Sequence, residues 1–314
     1  MADTSTQYPM IVPLPEMSPE RRQEVAELLV GAVDLHCHSG PAAMPRILGH
    51  HQAFKEALDA KFKALLYKDH YYVGMPHCAV LKEIYPDADI ELFSGVALNN
   101  ASGGVNPHAV DHAIKLGAKI VWMPTFAAKN HIEAYQAKSF PKTVKPMLPP
   151  IALTVLDANG KLIDEAKQIL DLIAAEDIIL AGGHLHVSEL FVLFEEASKR
   201  GVKKMMVNHP TYVVGCSDED IRSLVGMGVY MEHSICMFVP SRVKQHDPED
   251  LVHLIEVAGA DHTILGSDLG LTQAPKPVDG YRMIVSDLLD LEVPHDVIKQ
   301  IISTNASRLL GLAV

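Results

Sequence analysis

Two histidines separated by one residue, His36 and His38, end a short apolar run in the stretch VDLHCHSG. If that run is a β-strand, side chains two residues apart point to the same side, so both imidazoles can approach one ion. Imidazole nitrogens combined with carboxylate oxygens suit zinc, and also manganese or iron. The spacing therefore predicts a divalent metal site that holds one or two ions, with zinc expected first.

Other apolar runs end in side chains that could join this site. They are Lys68, Asp69 and His70 in YKDHY, His184 and His186 in GGHLH, His209 in VNHP, and Asp268 in GSDLG. A single histidine at a strand end is commonly a polar residue satisfied within the protein. Histidine or aspartate at the ends of four separate runs is better explained by a shared metal site, because chemistry gathers where the carboxyl ends of barrel strands meet.

The apolar runs alternate with helical patterns along the chain. Strands are predicted at residues 31–38, 63–69, 91–99, 119–125, 177–184, 203–210, 228–234 and 262–270. Helices are predicted at residues 50–60, 75–85, 107–117, 161–175, 187–200, 218–226, 248–259 and 279–290. The strand runs are continuously apolar, as in strands buried on both faces. This alternation predicts an α/β fold, a closed (β/α)8 TIM-like barrel. An open doubly wound sheet is the alternative, disfavoured because no glycine-rich phosphate loop follows the first strand.

Two additions to the barrel are expected. Residues 1–30 are predicted to form an N-terminal arm, rich in proline over residues 1–17, and a helix, while residues 31–314 form the barrel domain. Residues 126–160 break the rhythm after the fourth strand and predict an insertion. The Asn159-Gly160 pair within it predicts a hairpin turn. The insertion is a candidate cover over the active end of the barrel.

Composition excludes several classes of protein. The 314 residues include 48% hydrophobic and 21% charged residues, enough to bury a large core, and the formal net charge is −12. An acidic chain without a Lys/Arg-rich block argues against a nucleic-acid partner. The sequence has neither a secretory signal pattern nor an apolar run long enough to span a membrane. The four cysteines lack CxxC spacing, which suits free thiols. A soluble, cytoplasmic protein is expected.

The order of these motifs resembles the amidohydrolase superfamily. HxH in VDLHCH is followed by one histidine in GGHL, another in VNHP and the aspartate of GSDLG, and the C-terminal STNASRLLGL is similar to that superfamily's closing N-x-x-R-L-L-G helix. The resemblance covers most of the chain. YKDHY, VALNNASGGVNP, VWMPT, GGHL and GSDLG further resemble a little-characterised subgroup. The resemblance implies a metal-dependent hydrolase on a distorted (β/α)8 barrel.

The resemblance also implies roles for individual residues. His36 and His38 match the ligands of the more buried metal, and His184 and His209 match the ligands of a second metal. Asp268 matches a carboxylate that binds metal and takes a proton from the nucleophilic water. The superfamily often bridges its two metals with a carboxylated lysine or a glutamate on the fourth strand, and KIVWMPT ends in neither.

Lys68 is the candidate replacement for this bridge. Burying an ammonium group is expensive, so a lysine at a buried strand end tends to lose its proton or find a partner. A neutral lysine amine can take up carbon dioxide and become a carbamate, which is a good bridging ligand. Two other interpretations stay open: Lys68 could pair with Asp69 or Asp268, or it could bind an anionic substrate.

The expected reaction is metal-dependent hydrolysis of a small cyclic amide, lactone or related carbonyl compound. Metal-activated water is the nucleophile, and Asp268 takes its proton and returns it to the leaving group. A metal-dependent decarboxylase or hydratase on the same fold is one alternative. A non-catalytic metal- or ligand-binding protein is another, although the intact Asp268 counts against it. A homo-oligomer is also open, because the arm could reach a neighbouring subunit.

Other polar residues are predicted to contact the substrate, to support the metal ligands or to face solvent. Candidate contacts to the small-molecule substrate are Arg46, His70, Tyr71 and Asn99. His186 is expected at the start of a helix, behind the metal ligands, and Glu232 or His233 could orient a ligand. The remaining histidines considered lie in helices, at helix starts or where a strand begins, and most are expected to face solvent: His50, His51, His77, His108, His112, His246, His253, His262 and His295.

Overall fold

A computed structural model describes residues 10–135 and 143–314, so the start of the predicted arm and part of the predicted insertion lie outside the described residues. The strands are β1 (Val33–Cys37), β2 (Ala64–Tyr67), β3 (Glu91–Ala97), β4 (Ile120–Trp122), β5 (Ile179–Ala181), β6 (Met205–Asn208), β7 (Tyr230–Ser234) and β8 (Thr263–Gly266). The helices are α1 (Pro19–Leu29), α2 (His50–Asp59), α3 (Met75–Ile84), α4 (Pro107–Lys115), α5 (Lys129–Tyr135), α6 (Asp164–Glu176), α7 (Val187–Lys199), α8 (Asp218–Gly226), α9 (Pro248–Ala258), α10 (Pro277–Asp290), α11 (His295–Lys299) and α12 (Asn305–Leu310).

The strands are parallel and follow one another in sequence order, β1 to β8, with at least one helix between successive strands. This arrangement is that of a (β/α)8 barrel, and the predicted fold class is confirmed. Strands β1, β2, β4, β5, β6 and β8 are buried at every position. Complete burial explains why their sequences are continuously apolar rather than alternating.

The chain forms two compact units. The first consists of residues up to Lys68, His77–Leu92 and His233–Val314. Within it, β1 pairs with β2, and Cys37 at the end of β1 forms a parallel bridge with Leu269 after β8. The backbone that follows β1 is thereby joined to the backbone that follows β8, and both segments carry predicted metal ligands.

The second unit consists of Asp69–Pro76 and Phe93–Glu232. Strands β3 to β7 pair in parallel within it, each with the next. Leu156 and Leu162 form an antiparallel bridge, and Gly160 between them has a φ of +73°. This geometry confirms the hairpin turn predicted from the Asn159-Gly160 pair.

The predicted strands overlap every observed strand, but all except the seventh run too far at their carboxyl ends. His209 and Asp268, for example, follow β6 and β8 with φ values of +33° and +47°. A left-handed residue cannot continue a β-ladder, so the strands end before these side chains. Helix α5 was not predicted, because its seven residues were assigned to an irregular insertion.

The described end of the arm lies along the loop after β8. The Val12 N–H donates to the Ala274 carbonyl at 3.0 Å, and the Gln273 N–H donates to the Met10 carbonyl at 2.8 Å. Val12 is buried by this pairing. Helix α1 then begins at Pro19, capped by the Ser18 hydroxyl, which accepts the Arg21 N–H. In the part of the chain that is described, no helix combines the length and apolar composition needed to cross a bilayer.

Candidate active site

Asp268 meets His36 of β1 and His38, which directly follows β1, in the first unit. Asp268 Oδ1 lies 3.1 Å from His36 Nε2 and 2.9 Å from His38 Nε2. Both imidazoles are buried, and their ring centroids are 5.2 Å apart. The ligand atoms of the three side chains lie within 4.8 Å of one another. Two nitrogens and one carboxylate oxygen can therefore bind a single divalent cation.

The ring of His38 is oriented by the backbone of the neighbouring strand. His38 Nδ1 lies 2.8 Å from the carbonyl oxygen of Lys68. A carbonyl can only accept, so Nδ1 carries the proton and Nε2 presents a lone pair toward Asp268. Arg46 Nη2, 3.1 Å from the same Nδ1, can also only donate, so it lies beside this hydrogen bond as a neighbouring cation. Such a backbone bond commonly fixes the tautomer of a metal-binding histidine.

Lys68, which directly follows β2, lies beside His36 of β1. Its side chain is buried, and its Nζ is 3.0 Å from His36 Nε2. This position is suitable for a ligand that extends toward the same cation. Whether Lys68 carries a carbamate stays a prediction.

The backbone around Asp268 is tightly specified. Its N–H donates to the His36 carbonyl at 2.7 Å, and the Ser267 hydroxyl donates to the same carbonyl at 2.9 Å. Gly270 follows with a φ of +105°, and a Cβ there would lie 1.7 Å from the His38 carbonyl oxygen. Only glycine permits this close approach of the two chain segments. The positive φ of Asp268 adds strain of the kind found at functional sites.

The electrostatics of the triad favour an ionised Asp268 and a neutral His38. Burial alone would raise the pKa of Asp268, but its neighbours His36 and His38 hold that pKa well below its usual range. Burial lowers the pKa of His38 to about 3, and the Arg46 guanidinium adds to this effect. An ionised carboxylate and a neutral imidazole are the protonation states that metal binding requires.

A second cluster of histidines lies in the second unit. The rings of His184 and His209, which follow β5 and β6, have centroids 4.9 Å apart. His184 Nδ1 is 2.8 Å from His131 Nδ1, and the two rings stack at 4.8 Å. Burial lowers the pKa of His131 to about 4, and the nearby His209 contributes to this lowering. The structure thus brings together His184 and His209, the two predicted ligands of a second metal, and packs the His131 ring against His184.

Sequence reasoning missed His131. It lies on α5, in the predicted insertion, where no strand end or repeated spacing marks it. Asn130 on the same helix donates to the His184 carbonyl at 3.1 Å and to the Val213 carbonyl at 2.8 Å. Two consecutive residues of α5 therefore hold His184, one through its backbone and one through its ring.

The predicted substrate contacts His70 and Asn99 lie together beside Phe126. His70 Nδ1 is 2.9 Å from Thr125 Oγ1, and its ring lies 3.9 Å from the ring of Phe126. The Asn99 oxygen accepts the N–H groups of Thr125 and Ala127, while its amide donates to the His70 carbonyl and to Thr125. Asn99 thus uses its hydrogen-bonding groups to hold the protein, and its contact with substrate stays a prediction.

The structure also shows the positions of three other histidines discussed in the sequence: His186, His50 and His233. His186 is exposed and caps α7, with its side chain accepting the Ser188 N–H, so the helix begins there as expected. The solvent-facing prediction is wrong for His50, which is buried with its Nδ1 2.6 Å from the Ser39 hydroxyl. His233 is buried at the end of β7. All four cysteines are free, as predicted from their spacing, and all four are buried.

Solved structures similar to this chain span nearly its whole length. An amidohydrolase from Pseudomonas aeruginosa matches with a TM-score of 0.63 and 12% identity, over 92% of this chain and 98% of that chain. A probable dipeptidase from Pseudomonas aeruginosa matches with a TM-score of 0.65 and 10% identity, over 94% and 98% of the two chains. An amidohydrolase from Burkholderia multivorans matches with a TM-score of 0.52 and 12% identity, over 90% and 99%. These likenesses show that the chain shares its fold with proteins described as amidohydrolases and as a probable dipeptidase.

The chain belongs to the family of unknown function DUF6282, which matches residues 31–232. That range begins just before β1 and contains His36, His38, His184 and His209, whereas Asp268 lies beyond its end. No curated protein matches the chain.

Proposed function

We propose that this chain is a metal-dependent hydrolase of a small cyclic amide, lactone or related carbonyl compound, with metal-activated water as the nucleophile. The observation that carries the proposal is the convergence of His36 Nε2 and His38 Nε2 on Asp268 Oδ1, at 3.1 and 2.9 Å. The similar solved structures include proteins described as amidohydrolases and a probable dipeptidase, which supports the same class of reaction.

The residues present suit a divalent cation. His36, His38 and Asp268 would hold it, and the bond from His38 to the Lys68 carbonyl leaves the correct ring nitrogen available. Zinc is expected first for such a set, with manganese or iron as alternatives. When bound, the ion would lower the pKa of a water molecule toward ~7 and polarise a carbonyl group.

Asp268 is the residue of the triad that can exchange a proton with the reactants. Its side chain is 16% exposed, whereas those of the two histidines are 1% exposed. Because its pKa is held well below the usual range, Asp268 is ionised at neutral pH. It would take the proton of the attacking water and deliver it to the leaving group.

The remaining ligands are part of the same proposal. His184 and His209 would bind a second ion, and Lys68 would link the two as a carbamate. This arrangement rests on the sequence resemblance, the pairing of the two rings and the position of Lys68 beside His36. The alternative is a single ion at His36, His38 and Asp268, and the number of bound ions per chain separates the two.

The decisive experiment measures metal content and turnover on the same protein. The chain is stripped with a chelator, reloaded with zinc, manganese or iron, and screened against small amides, lactones and carboxylates. We expect one or two ions per chain, and Asp268→Asn is expected to lower turnover by about 10²–10⁴-fold while the protein stays folded. His112→Gln, which changes an exposed histidine on α4, is the matched control.

Each result bears on a specific part of the proposal. Metal that is retained together with undiminished turnover in Asp268→Asn would remove Asp268 from the mechanism. Release of carbon dioxide or addition of water to the substrate would favour a decarboxylase or hydratase. A reloaded protein that holds no metal would overturn the proposal as a whole.

A further inference from the structure

A pocket of about 640 Å³ opens in the second unit, beside Phe126. Its walls come from the ends of strands and from the insertion: Tyr71 after β2, Ala101 after β3, Phe126 after β4, and Met147, Leu148 and Ile151 of the insertion. The volume falls in the range of small-molecule sites rather than of protein interfaces. It was not foreseen from the sequence, except that the insertion was a candidate cover.

The side chains that line the pocket indicate what kind of ligand group it can bind. Among the described residues that line the pocket, none is charged. Asn99 and Asn100 contribute the side-chain amides, and both are engaged within the protein, Asn99 with Thr125 and Ala127, and Asn100 with Ile151. An ionic group would lose its hydration here without gaining a partner charge, so the walls favour an uncharged, apolar group.

The apolar residues of the insertion are exposed but held in place. Leu148 is 93% exposed and Ile151 is 73% exposed. The Ile151 backbone exchanges two hydrogen bonds with the Asn100 side chain, at 2.9 and 3.0 Å. Leu153 exchanges two backbone bonds with Ala127 and Lys129, both at 2.7 Å. These polar bonds hold the backbone of Ile151 and Leu153, so the exposed Ile151 side chain is kept at the pocket although it contributes little to the core.

Phe126 connects the pocket to the histidine cluster. It lines the pocket, and its ring centroid lies 3.9 Å from that of His70 and 5.6 Å from that of His184. A group that packs on Phe126 is therefore one aromatic ring away from a predicted metal ligand. A molecule with an apolar substituent and a carbonyl group could occupy the pocket with the first and approach the histidines with the second.

We propose that this pocket binds an apolar, uncharged substituent of the substrate, such as a phenyl or branched alkyl group. Describing the ligand as a substrate rests on the proposed function, whereas the preference for apolar groups rests on the pocket alone. The substrate class is thereby narrowed from small carbonyl compounds in general to those that carry a bulky hydrophobic side group.

Stable lactams test the pocket without turnover. Binding of 2-pyrrolidinone, 4-phenyl-2-pyrrolidinone and the 4-(4-carboxyphenyl) derivative is measured by calorimetry on the full chain, both metal-loaded and metal-stripped. We expect the phenyl compound to bind at least about tenfold more tightly than the unsubstituted lactam. The carboxylate derivative is expected to lose that advantage, because none of the described residues that line the pocket is a cation.

Three variants locate the binding. Leu148→Ser removes an apolar wall and Ala101→Phe fills the space, and both should reduce the advantage of the phenyl group to less than about threefold. Val144→Ser is the matched control, since Val144 is an exposed apolar residue of the same segment that does not line the pocket. Leu148 and Ala101 are exposed, so both variants should fold, which circular dichroism confirms.

Equal binding of 2-pyrrolidinone and 4-phenyl-2-pyrrolidinone would overturn the inference. A preference for the phenyl compound that is unchanged in Leu148→Ser and Ala101→Phe would also overturn it. A phenyl preference that persists in the metal-stripped protein, with no hydrolysis of any amide, lactone or carboxylate of the screening panel by the metal-loaded protein, would instead contradict the proposed function and leave the apolar pocket established.

Discussion

The side-chain carboxylate of Asp34 accepts the backbone N–H of Ser267 at 2.9 Å. The same oxygen, Oδ1, accepts the N–H of His36, also at 2.9 Å. Asp34 is fully buried within β1, and burial raises its pKa despite these hydrogen bonds. One oxygen atom therefore joins the backbone of a predicted metal ligand to the residue that precedes Asp268.

Replacing Asp34 should weaken the fold and the site together. Asp34→Ala leaves two buried N–H groups without an acceptor, and we expect the free energy of unfolding to fall by about 2–4 kcal/mol. Asp34→Asn keeps the acceptor oxygen and should lose less than half as much. Urea denaturation of the metal-free proteins measures both changes. Equal losses in the two variants would show that the hydrogen bonds of Oδ1 are not what stabilises this junction.

Gly270 should be intolerant of any side chain. In Gly270→Ala the new Cβ would lie 1.7 Å from the His38 carbonyl oxygen, at a φ of +105°. We expect a loss of about 3 kcal/mol or more in unfolding free energy, together with weaker metal binding because His38 must move.

Gly117→Ala is the matched control for this prediction. Gly117 has a φ of +89°, but a Cβ there would meet nothing within 4 Å. The unfolding free energy of Gly117→Ala should therefore fall only by the cost of backbone strain, about 1–2 kcal/mol. If Gly270→Ala and Gly117→Ala lose the same stability, the close approach to His38 has no energetic consequence.

His50 should make the stability of the fold depend on pH. Burial, followed by the neighbouring His77 and Arg46, lowers its pKa to about 4, below the unfolded value of about 6.5. The folded state favours the neutral ring, so the contribution of His50 is present above pH ~6.5 and is lost as the pH falls toward ~4.

Denaturation of wild type and His50→Gln between pH 7 and pH 4.5 checks this linkage. The variant should lose less stability than wild type over that interval, whereas His112→Gln, an exposed change, should follow wild type. Parallel curves for all three proteins would mean that His50 titrates normally in the folded state.

His131 should position His184. If His184 binds a metal through Nε2, its Nδ1–H donates to His131 Nδ1 across the observed 2.8 Å. His131→Phe keeps a ring in place but removes this acceptor, and we expect about a 10–100-fold loss in affinity for one of the bound ions. Competition with a chromophoric chelator measures the affinity.

Tyr135→Phe controls for the packing of His131. Its ring stacks on His131 at 4.7 Å, and the substitution removes only the hydroxyl. Affinity should therefore stay near the wild-type value. An unchanged affinity in His131→Phe would contradict the role given to His131, or the role of His184 as a ligand.

The residues at strand ends show what the sequence could reveal. The apolar runs predicted all eight strands, since strands buried on both faces leave a continuous hydrophobic signal. His36, His38 and Asp268 were recognisable because each directly follows or ends such a run, and the structure brings the three together.

Other features depend on packing that leaves no local signal. His131 contacts His184 because the short helix α5 of the insertion lies against the loop that follows β5, and nothing in its spacing indicates this. His50 begins an amphipathic helix, yet it is buried and its Nδ1 pairs with the Ser39 hydroxyl. Asn99 was a plausible substrate contact by position, but its amide is engaged by the backbone around Thr125. Tertiary partners, rather than sequence patterns, determine these three environments.

Residues 147–153 of the insertion line the pocket or flank it, and the way in which they are attached has an evolutionary consequence. Their backbone is fastened through Asn100, Ala127 and Lys129, while Leu148 points almost entirely into water and adds little to folding. Mutations at Leu148 or Met147 can therefore accumulate without the stability penalty that usually limits divergence. Members of the family could acquire different ligand preferences by changing a few codons here, and a directed-evolution library confined to these positions should contain mostly folded proteins.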